Sequence, residues 1–213
     1  VDLSRAQWQA LIPVLREREL LPYLDLAYQG YGQGIEEDAW AVRALADAGL
    51  SFFVANSFSK SMSLYGERAG ALSVVCASEP QAQRVLGQLK ATVRRNYSSP
   101  ALHAAGIVSR VLTQPDLRAS WEADVGQMRE RIAAMRRAVH AVLTHKRPGR
   151  NFEYLLTQRG MFSYTGLTPM QVDRLREEFG VYLVRSGRMC VAGLNTANVE
   201  RAASAMAAVL DES

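Results

Sequence analysis

The stretch LLPYLDLAYQGYGQGIEEDAWAVRALADAGLSFFVANSFSKS, residues 20–61, decides the fold. Two short apolar runs, 20–27 and 50–56, have the length and character of buried strands. Between them lie a glycine-containing loop at 28–34 and a helical pattern from Glu36 to Ala48 that stops at a glycine. Strand, helix and strand with short links form a βαβ unit, whose strands run parallel. The stretch therefore predicts an α/β fold.

Regular elements are also predicted on both sides of this unit. A capping-box pattern at Ser4 and Gln7 predicts an opening helix that runs to Arg18. After the unit we predict a polar loop at 57–68, a strand at 70–77, a helix at 79–96, a helical segment at 100–113 and a long helix to about residue 146.

The pattern changes after Gln114 and Pro115, and we place a domain boundary near Pro115. Residues 1–114 then form one domain and residues 115–213 a smaller α+β domain. In the smaller domain we predict strands at 160–164, 181–184 and 189–192 and helices at 168–179 and 195–210.

Composition excludes several classes of protein. The 213 residues are 48% hydrophobic and 22% charged, which is typical of a globular chain rather than a disordered one. The net charge of +4 comes without zinc-ligand spacing or basic runs interleaved with aromatics, so we expect no nucleic-acid partner. No apolar run approaches the ~20 residues of a membrane span, so we expect no membrane-spanning segment and no membrane partner. Cys76 and Cys190 lie in apolar runs, which predicts buried thiols and a cytoplasmic protein.

Polar side chains gather where predicted strands end, the edge at which open α/β sheets bind ligands. Lys60 follows the second strand, where partial desolvation would favour the neutral amine needed for Schiff-base chemistry. Asp25 ends the first strand and suits a buried pairing with a pyridinium nitrogen, while Arg68 offers a fork for phosphate. Taken singly, an ordinary loop or turn position is the commoner case for Lys60 and Asp25, and Arg68 is equally compatible with a solvated surface arginine.

Four segments together carry a family resemblance: DLAYQGYGQG at 25–34, NSFSKSMSLYGERAG at 56–70, RRNYSSP at 94–100 and SGRMCVAGLN at 186–195. In this order they resemble the signature segments of the aspartate and aromatic amino acid aminotransferases. These are fold type I enzymes that use pyridoxal 5'-phosphate. The resemblance covers essentially the whole chain and implies the C-terminal part of a large parallel-sheet domain followed by a small α+β domain.

The resemblance implies a role for each matching residue of the cofactor site. Lys60 matches the lysine that forms the aldimine with the cofactor and shuttles the proton during transamination. Asp25 matches the partner of the pyridine nitrogen, and Tyr28 matches the phenol that bonds the ring hydroxyl oxygen. Ser57 and Arg68 match two phosphate ligands.

Substrate-binding roles follow from the same resemblance. Arg188 matches the arginine that clamps the substrate α-carboxylate, and Phe162 matches a wall of the substrate pocket or a plain core aromatic. Arg94 matches the arginine that reaches into the neighbouring subunit's site, which implies a homodimer. Ser99 stands at a position where aspartate-specific members have asparagine, and a serine there resembles the aromatic branch of the family or reflects neutral drift. We therefore expect aromatic or dicarboxylic amino acids and 2-oxoglutarate as substrates.

The segments that form the N-terminal half of the family are not found in these 213 residues. We expect a C-terminal fragment that is inactive alone, either an excised piece or the product of an interrupted gene. One alternative is a non-catalytic, aminotransferase-like module for ligand binding or dimerisation. A lyase or racemase of the same fold is another, although neither is expected to need Arg94 for a second carboxylate.

Overall fold

The computed structural model describes residues 2–210. The chain forms two compact units, a first unit of Leu3–Gly126 and a second unit that begins at Gln127. The first unit contains the elements α1 Arg5–Glu17, β1 Tyr23–Leu26, α2 Ile35–Asp38, α3 Trp40–Asp47, β2 Phe52–Ser57, β3 Gly70–Val75, α4 Glu79–Asn96 and α5 Leu102–Thr113. The helix α6, Pro115–Lys146, begins in the first unit and ends in the second.

The elements of the second unit after α6 are α7 Tyr154–Thr157, β4 Phe162–Tyr164, α8 Pro169–Phe179, β5 Arg188–Cys190, a short 3₁₀ helix Val191–Gly193 and α9 Val199–Val209. The units divide inside α6, later than the predicted boundary near Pro115. Pro115 is the first residue of α6, a position that favours proline because its missing N–H would be unpaired there anyway. The break in the sequence thus marks a helix start.

The first unit is built on a three-stranded sheet in the order β1-β2-β3. β1 and β2 are parallel, as the βαβ pattern predicts, with α2 and α3 in the crossover. β3 is antiparallel to β2, which makes the sheet mixed. The connection between β2 and β3 contains no helix, and only a parallel return needs a long crossover.

One face of this sheet carries the core of the first unit. Phe52 and Leu45 are fully buried, and Leu15, Leu24 and Val54 complete the cluster. The amphipathic α1 packs against it after the predicted capping box, in which the Ser4 side chain accepts from the Gln7 backbone N–H. Burial of these apolar side chains, at about 1.5–3 kcal/mol each, holds the two parallel strands in register.

α4 contributes no buried residue to this core. An open groove of about 500 Å³ lies beside it, lined by Phe53, Arg84, Val85, Gln88, Leu89 and Thr92. The first unit therefore presents a largely apolar surface between α4 and β2. None of the helices in residues 2–210 is long and apolar enough to cross a membrane.

The second unit packs the later part of α6 with α8, α9 and the antiparallel pair of β4 and β5. Its fully buried side chains include Leu143, Leu155, Leu175, Val191 and Val209. Helix α8 begins at a second capping box, Thr168 with Gln171, and ends at Gly180 in the left-handed conformation. Both signals are readable in the sequence.

Three local predictions were wrong. The strand predicted at 181–184 does not form, because the Val181 N–H bonds back to Leu175 and only Val184 pairs across the turn to Arg188. The helix predicted from Glu36 to Ala48 is divided into α2 and α3 at Ala39. Cys190 is exposed and Cys76 is half-buried, so neither thiol is buried as expected.

Candidate functional site

The carboxyl ends of β1 and β2 meet at one edge of the sheet. Their register pairs Asp25 with Ala55 and Leu26 with Asn56. At this edge, the side-chain amide of Asn56 in β2 donates to the Gln29 side-chain oxygen over 3.0 Å and so joins β2 to the loop that follows β1. Parallel pairing thereby places the segment after Asp25 beside the segment that carries Lys60.

Lys60 is half-buried between two tyrosine rings. Its Nζ lies 4.9 Å from the centroid of the Tyr28 ring and 5.8 Å from that of Tyr65. Both distances are within the range of a cation–π contact. The structure thus brings together Lys60 and Tyr28, two residues for which the sequence predicted a common site.

The backbone at Lys60 is fixed by side chains whose role the sequence did not reveal. The Tyr31 hydroxyl donates to the Lys60 carbonyl over 3.0 Å, and the Trp121 indole N–H donates to the Ser61 carbonyl over 2.6 Å. Tyr31 is only 5% exposed. Long-range contacts of this kind leave no periodic signal in a sequence, and Trp121 is distant in the chain.

The glycine-containing loop after β1 is organised by Asp38. One carboxylate oxygen of Asp38 accepts from the N–H groups of Gly30 and Gly32 at 2.9 and 2.8 Å, and the other accepts from Gln33 at 2.8 Å. Gly30 has φ +95°, and a Cβ there would lie 2.6 Å from the side chain of Ile35. Glycine is therefore required at this turn, which holds Tyr31 in place.

Two serines and an arginine form a polar cluster next to Lys60. The Ser59 N–H donates to the Ser57 hydroxyl over 3.3 Å, and Arg68 Nη1 donates to the Ser59 hydroxyl over 3.5 Å. Arg68 Nη1 also donates to the Tyr65 carbonyl over 3.2 Å. Both contacts use the same nitrogen. Among the described residues, the other N–H donors of the guanidinium have no partner and can bind an anion. Ser59, which is 3% exposed, was not predicted.

Asp25 differs from the expectation of a buried carboxylate. It is the penultimate residue of β1, near the carboxyl end where it was predicted, but its side chain is exposed in this chain. β1 is an edge strand of the sheet, so the described residues pair with it on one side only. The position of Asp25 at the strand end is confirmed, and its burial is not.

Arg188 and Phe162 lie together in the second unit. β4 and β5 pair Tyr164 with Arg188, and the Arg188 guanidinium carbon lies 4.8 Å from the centroid of the Phe162 ring. Gly187 precedes Arg188 with φ +83°, a conformation that disfavours any other residue. The arrangement stacks an exposed arginine on an aromatic face and leaves its guanidinium edge open to a carboxylate.

Arg94 and Ser99 lie at the end of α4 and in the turn after it, and both are exposed. Arg94 Nη1 donates to the Ser98 hydroxyl over 2.7 Å. Ser98 has φ +68°, which sets the direction of the turn, and the Ser99 N–H bonds to the Tyr97 carbonyl over 2.8 Å. The turn therefore presents Arg94 at the surface of the first unit.

Two tyrosines predict a loss of stability in alkali. Burial raises the pKa of both Tyr31 and Tyr154, and Tyr65 adds to the effect on Tyr31. Above the ordinary pKa of 10.0, the unfolded chain releases protons that the folded chain retains. The free energy of unfolding therefore falls as pH rises through this range.

We expect Tyr154→Phe to reduce this alkaline slope in urea unfolding between about pH 9 and pH 11, where tyrosine titrates. Tyr182→Phe, at a side chain that is 78% exposed, is the control and should leave the slope as it is. Equal slopes for both variants would contradict the interpretation.

Residues 1–206 match the family described as aminotransferase class I and II. The chain belongs to this family. It is 64% identical over 98% of its length to the aromatic-amino-acid aminotransferase of Escherichia coli (strain K12) and covers 53% of that protein. It is 53% identical over 99% of its length to an aspartate aminotransferase of Pseudomonas aeruginosa and again covers 53% of the relative.

The fold agrees with this family. The chain superimposes on an aromatic-amino-acid aminotransferase from Burkholderia pseudomallei, solved covalently bound to pyridoxal phosphate, with a TM-score of 0.96. The two are 55% identical, and the match covers 99% of this chain and 53% of that one. The predicted α/β fold of the aminotransferase family is therefore confirmed. The chain spans about half the length of the aminotransferases it matches.

Proposed function

We propose that this chain forms the C-terminal half of an aminotransferase that moves an amino group between an aromatic or dicarboxylic amino acid and 2-oxoglutarate, with pyridoxal phosphate as cofactor. The observation that carries the proposal is the setting of Lys60. Its amine lies against the Tyr28 ring, and the polar cluster of Ser57, Ser59 and Arg68 lies at the end of β2 and in the loop after it, which also carries Lys60. An amine beside an anion site suits an aldehyde that bears a phosphate.

The residues present fit this cofactor. A phosphate dianion needs several donors, and Ser57, Ser59 and Arg68 offer hydroxyl and guanidinium groups next to one another. Tyr28 places a phenol beside the lysine amine. When bound, pyridoxal phosphate supplies a ring that withdraws electrons from the substrate α-carbon.

Each residue then has a separate task in the proposed reaction. The Lys60 amine attaches the cofactor and, once freed by the substrate, carries a proton to and from the α-carbon. The Asp25 carboxylate would keep the pyridine nitrogen protonated, which strengthens the electron sink. That task needs Asp25 to be shielded from water, because an exposed carboxylate interacts weakly with a cation.

We propose that two arginines, Arg188 and Arg94, bind the carboxylate groups of the substrate. Arg188 would hold the substrate α-carboxylate with its planar fork, and the Phe162 ring supports one face of the guanidinium. Arg94 is exposed at the end of α4 and would pair with the distal carboxylate in the site of a neighbouring subunit of a homodimer. The preference for aromatic substrates is proposed from Ser99.

The surface of the first unit supports the proposal that the working enzyme contains more polypeptide. α4 buries none of its residues, and the groove of about 500 Å³ beside it is largely apolar. An apolar surface of this kind is typical of a face that another segment covers. The N-terminal half of the longer relatives would supply such a segment. The proposal includes a cytoplasmic location, since both cysteines are free thiols.

The test uses this chain and a chimera in which it follows the N-terminal half of the Escherichia coli relative. Each is titrated with pyridoxal phosphate, reduced with borohydride and mapped by mass spectrometry. We expect label on Lys60 and a visible absorbance band, followed in the chimera by single-turnover conversion of the cofactor with tyrosine or phenylalanine. Failure of the chimera to convert either amino acid would reject the enzymatic proposal in favour of a non-catalytic module.

A further inference from the structure

Two aromatic side chains hold successive carbonyl groups at Lys60 and Ser61. Tyr31 donates to the Lys60 carbonyl over 3.0 Å and Trp121 to the Ser61 carbonyl over 2.6 Å. The two donors come from different elements, the glycine-containing loop after β1 and the first part of α6. The peptide next to the lysine is therefore fixed from two directions.

The segment from Phe58 to Leu64 has few other means of fixing its direction. It lies between β2 and β3, outside the strand ladder. The Phe58 N–H bonds to the Ala69 carbonyl over 3.1 Å next to the end of the ladder. After Phe58 the backbone hydrogen bonds of the segment are local turns, in which the Phe58 carbonyl accepts from Met62 at 3.2 Å and from Leu64 at 3.4 Å, and the Lys60 carbonyl also accepts from Ser63 at 3.2 Å. Local turns define the shape of a loop but not its direction relative to the sheet. The contacts from Tyr31 and Trp121 supply that direction.

Tyr31 is suited to this task because it is itself held firmly. Its ring is 5% exposed, and its N–H bonds to the Tyr28 carbonyl over 3.1 Å. Asp38 binds the N–H groups of the glycines on both sides of it. Burial raises the pKa of Tyr31, so its hydroxyl stays protonated and remains a donor across the neutral range.

We propose that Tyr31 and Trp121 are positioning residues that aim the Lys60 side chain by holding the carbonyls of Lys60 and Ser61. One loop thereby acts on Lys60 twice, with the Tyr28 ring at the amine and the Tyr31 hydroxyl at the backbone. The inference concerns the placement of Lys60, and its importance for catalysis rests on the proposed function. Neither Tyr31 nor Trp121 is assigned a contact with the substrate.

The test is Tyr31→Phe, which removes one hydroxyl and keeps the buried ring. Hydrogen–deuterium exchange of residues 58–64 is expected to accelerate about three- to tenfold, the effect of one lost hydrogen bond. Trace acylation of the chain without cofactor should modify Lys60 about two- to fivefold faster relative to Lys90, because the ammonium leaves the Tyr28 ring. Pyridoxal phosphate should bind Lys60 of the chimera about three- to tenfold more weakly.

Tyr154→Phe is the matched control. The Tyr154 hydroxyl also donates to a backbone carbonyl, that of Thr165 at 2.8 Å, but in the second unit. This variant should leave the exchange of residues 58–64 and the acylation of Lys60 unchanged. If Tyr31→Phe fails to fold, Trp121→Phe removes the donor to Ser61 and is measured in the same way.

Unchanged exchange and unchanged Lys60 acylation in a folded Tyr31→Phe chain would overturn the inference. Both readouts need no cofactor, so they separate the inference from the proposed function. If Tyr31→Phe loosens Lys60 as expected while no variant binds pyridoxal phosphate at Lys60, the positioning role stands and the proposed function fails.

Discussion

Replacement of Lys60 by alanine is expected to abolish covalent binding of pyridoxal phosphate and to slow amino transfer in the chimera by about 10²- to 10⁴-fold, the usual range for a lost acid–base group. Lys60 is the one lysine in the loop after β2, and its amine faces the Tyr28 ring. No neighbouring side chain of that loop offers another amine. Borohydride trapping with peptide mapping and the rate of cofactor conversion by tyrosine measure the two effects.

Lys90→Ala is the control, because Lys90 is exposed on α4 and alanine is well tolerated in a helix. The control should bind cofactor and turn over as the unaltered chimera does. Thermal unfolding of both variants should differ little, since the half-buried Lys60 makes no ion pair with an acidic side chain in residues 2–210. A Lys60→Ala chimera that still carried a trapped label or transaminated tyrosine would show that Lys60 is not the anchor.

The fold was predictable because its signals are local. The capping boxes at Ser4 and Thr168 and the glycine stop at Gly180 lie within a few residues of the ends they specify. The βαβ pattern fixes the parallel pairing of β1 with β2 through the length of its crossover. The strand predicted at 181–184 failed because an apolar run of four residues does not distinguish a strand from an extended turn.

The candidate site was predictable only in part. The resemblance located four of the site residues together, because they lie in two of its signature segments, 25–34 and 56–70. These residues are Tyr28, Ser57, Lys60 and Arg68. Trp121 reaches Ser61 from a residue sixty positions later, a contact that tertiary packing alone creates. Asp38 gave no local signal, because an Asx turn binds an N–H group two residues further on, whereas Asp38 binds N–H groups that lie before it in the chain.

Arg136→Met is expected to lower the free energy of unfolding of the second unit by about 3–5 kcal/mol, because it leaves several buried acceptors without donors. Arg136 is 5% exposed on α6. Its guanidinium donates to the carbonyls of Leu155, Gly160 and Phe162 and to the Ser163 hydroxyl. Urea unfolding followed by circular dichroism measures the change.

Arg137→Met is the matched control, since Arg137 is the next residue of the same helix and is exposed. Its effect should stay within about 0.5 kcal/mol, as for most surface substitutions. Arg136→Lys adds a second comparison, because it keeps the charge but cannot reach four acceptors with one nitrogen. Equal stability of the Arg136 and Arg137 variants would show that the buried guanidinium contributes no net stability.

The acceptors of Arg136 explain why a buried cation is retained at this place. All four are neutral groups, and burial lowers the pKa of Arg136, so the site stabilises the charge less well than water does. The guanidinium instead holds the backbone around its four acceptors in one arrangement. β4 is three residues long and pairs with β5 alone in the described chain. Arg136 binds the irregular segment that leads into β4 and thereby fixes the strand that carries Phe162 and pairs with Arg188. Loss of Arg136 should therefore speed hydrogen exchange at residues 160–164 even where the unit remains folded.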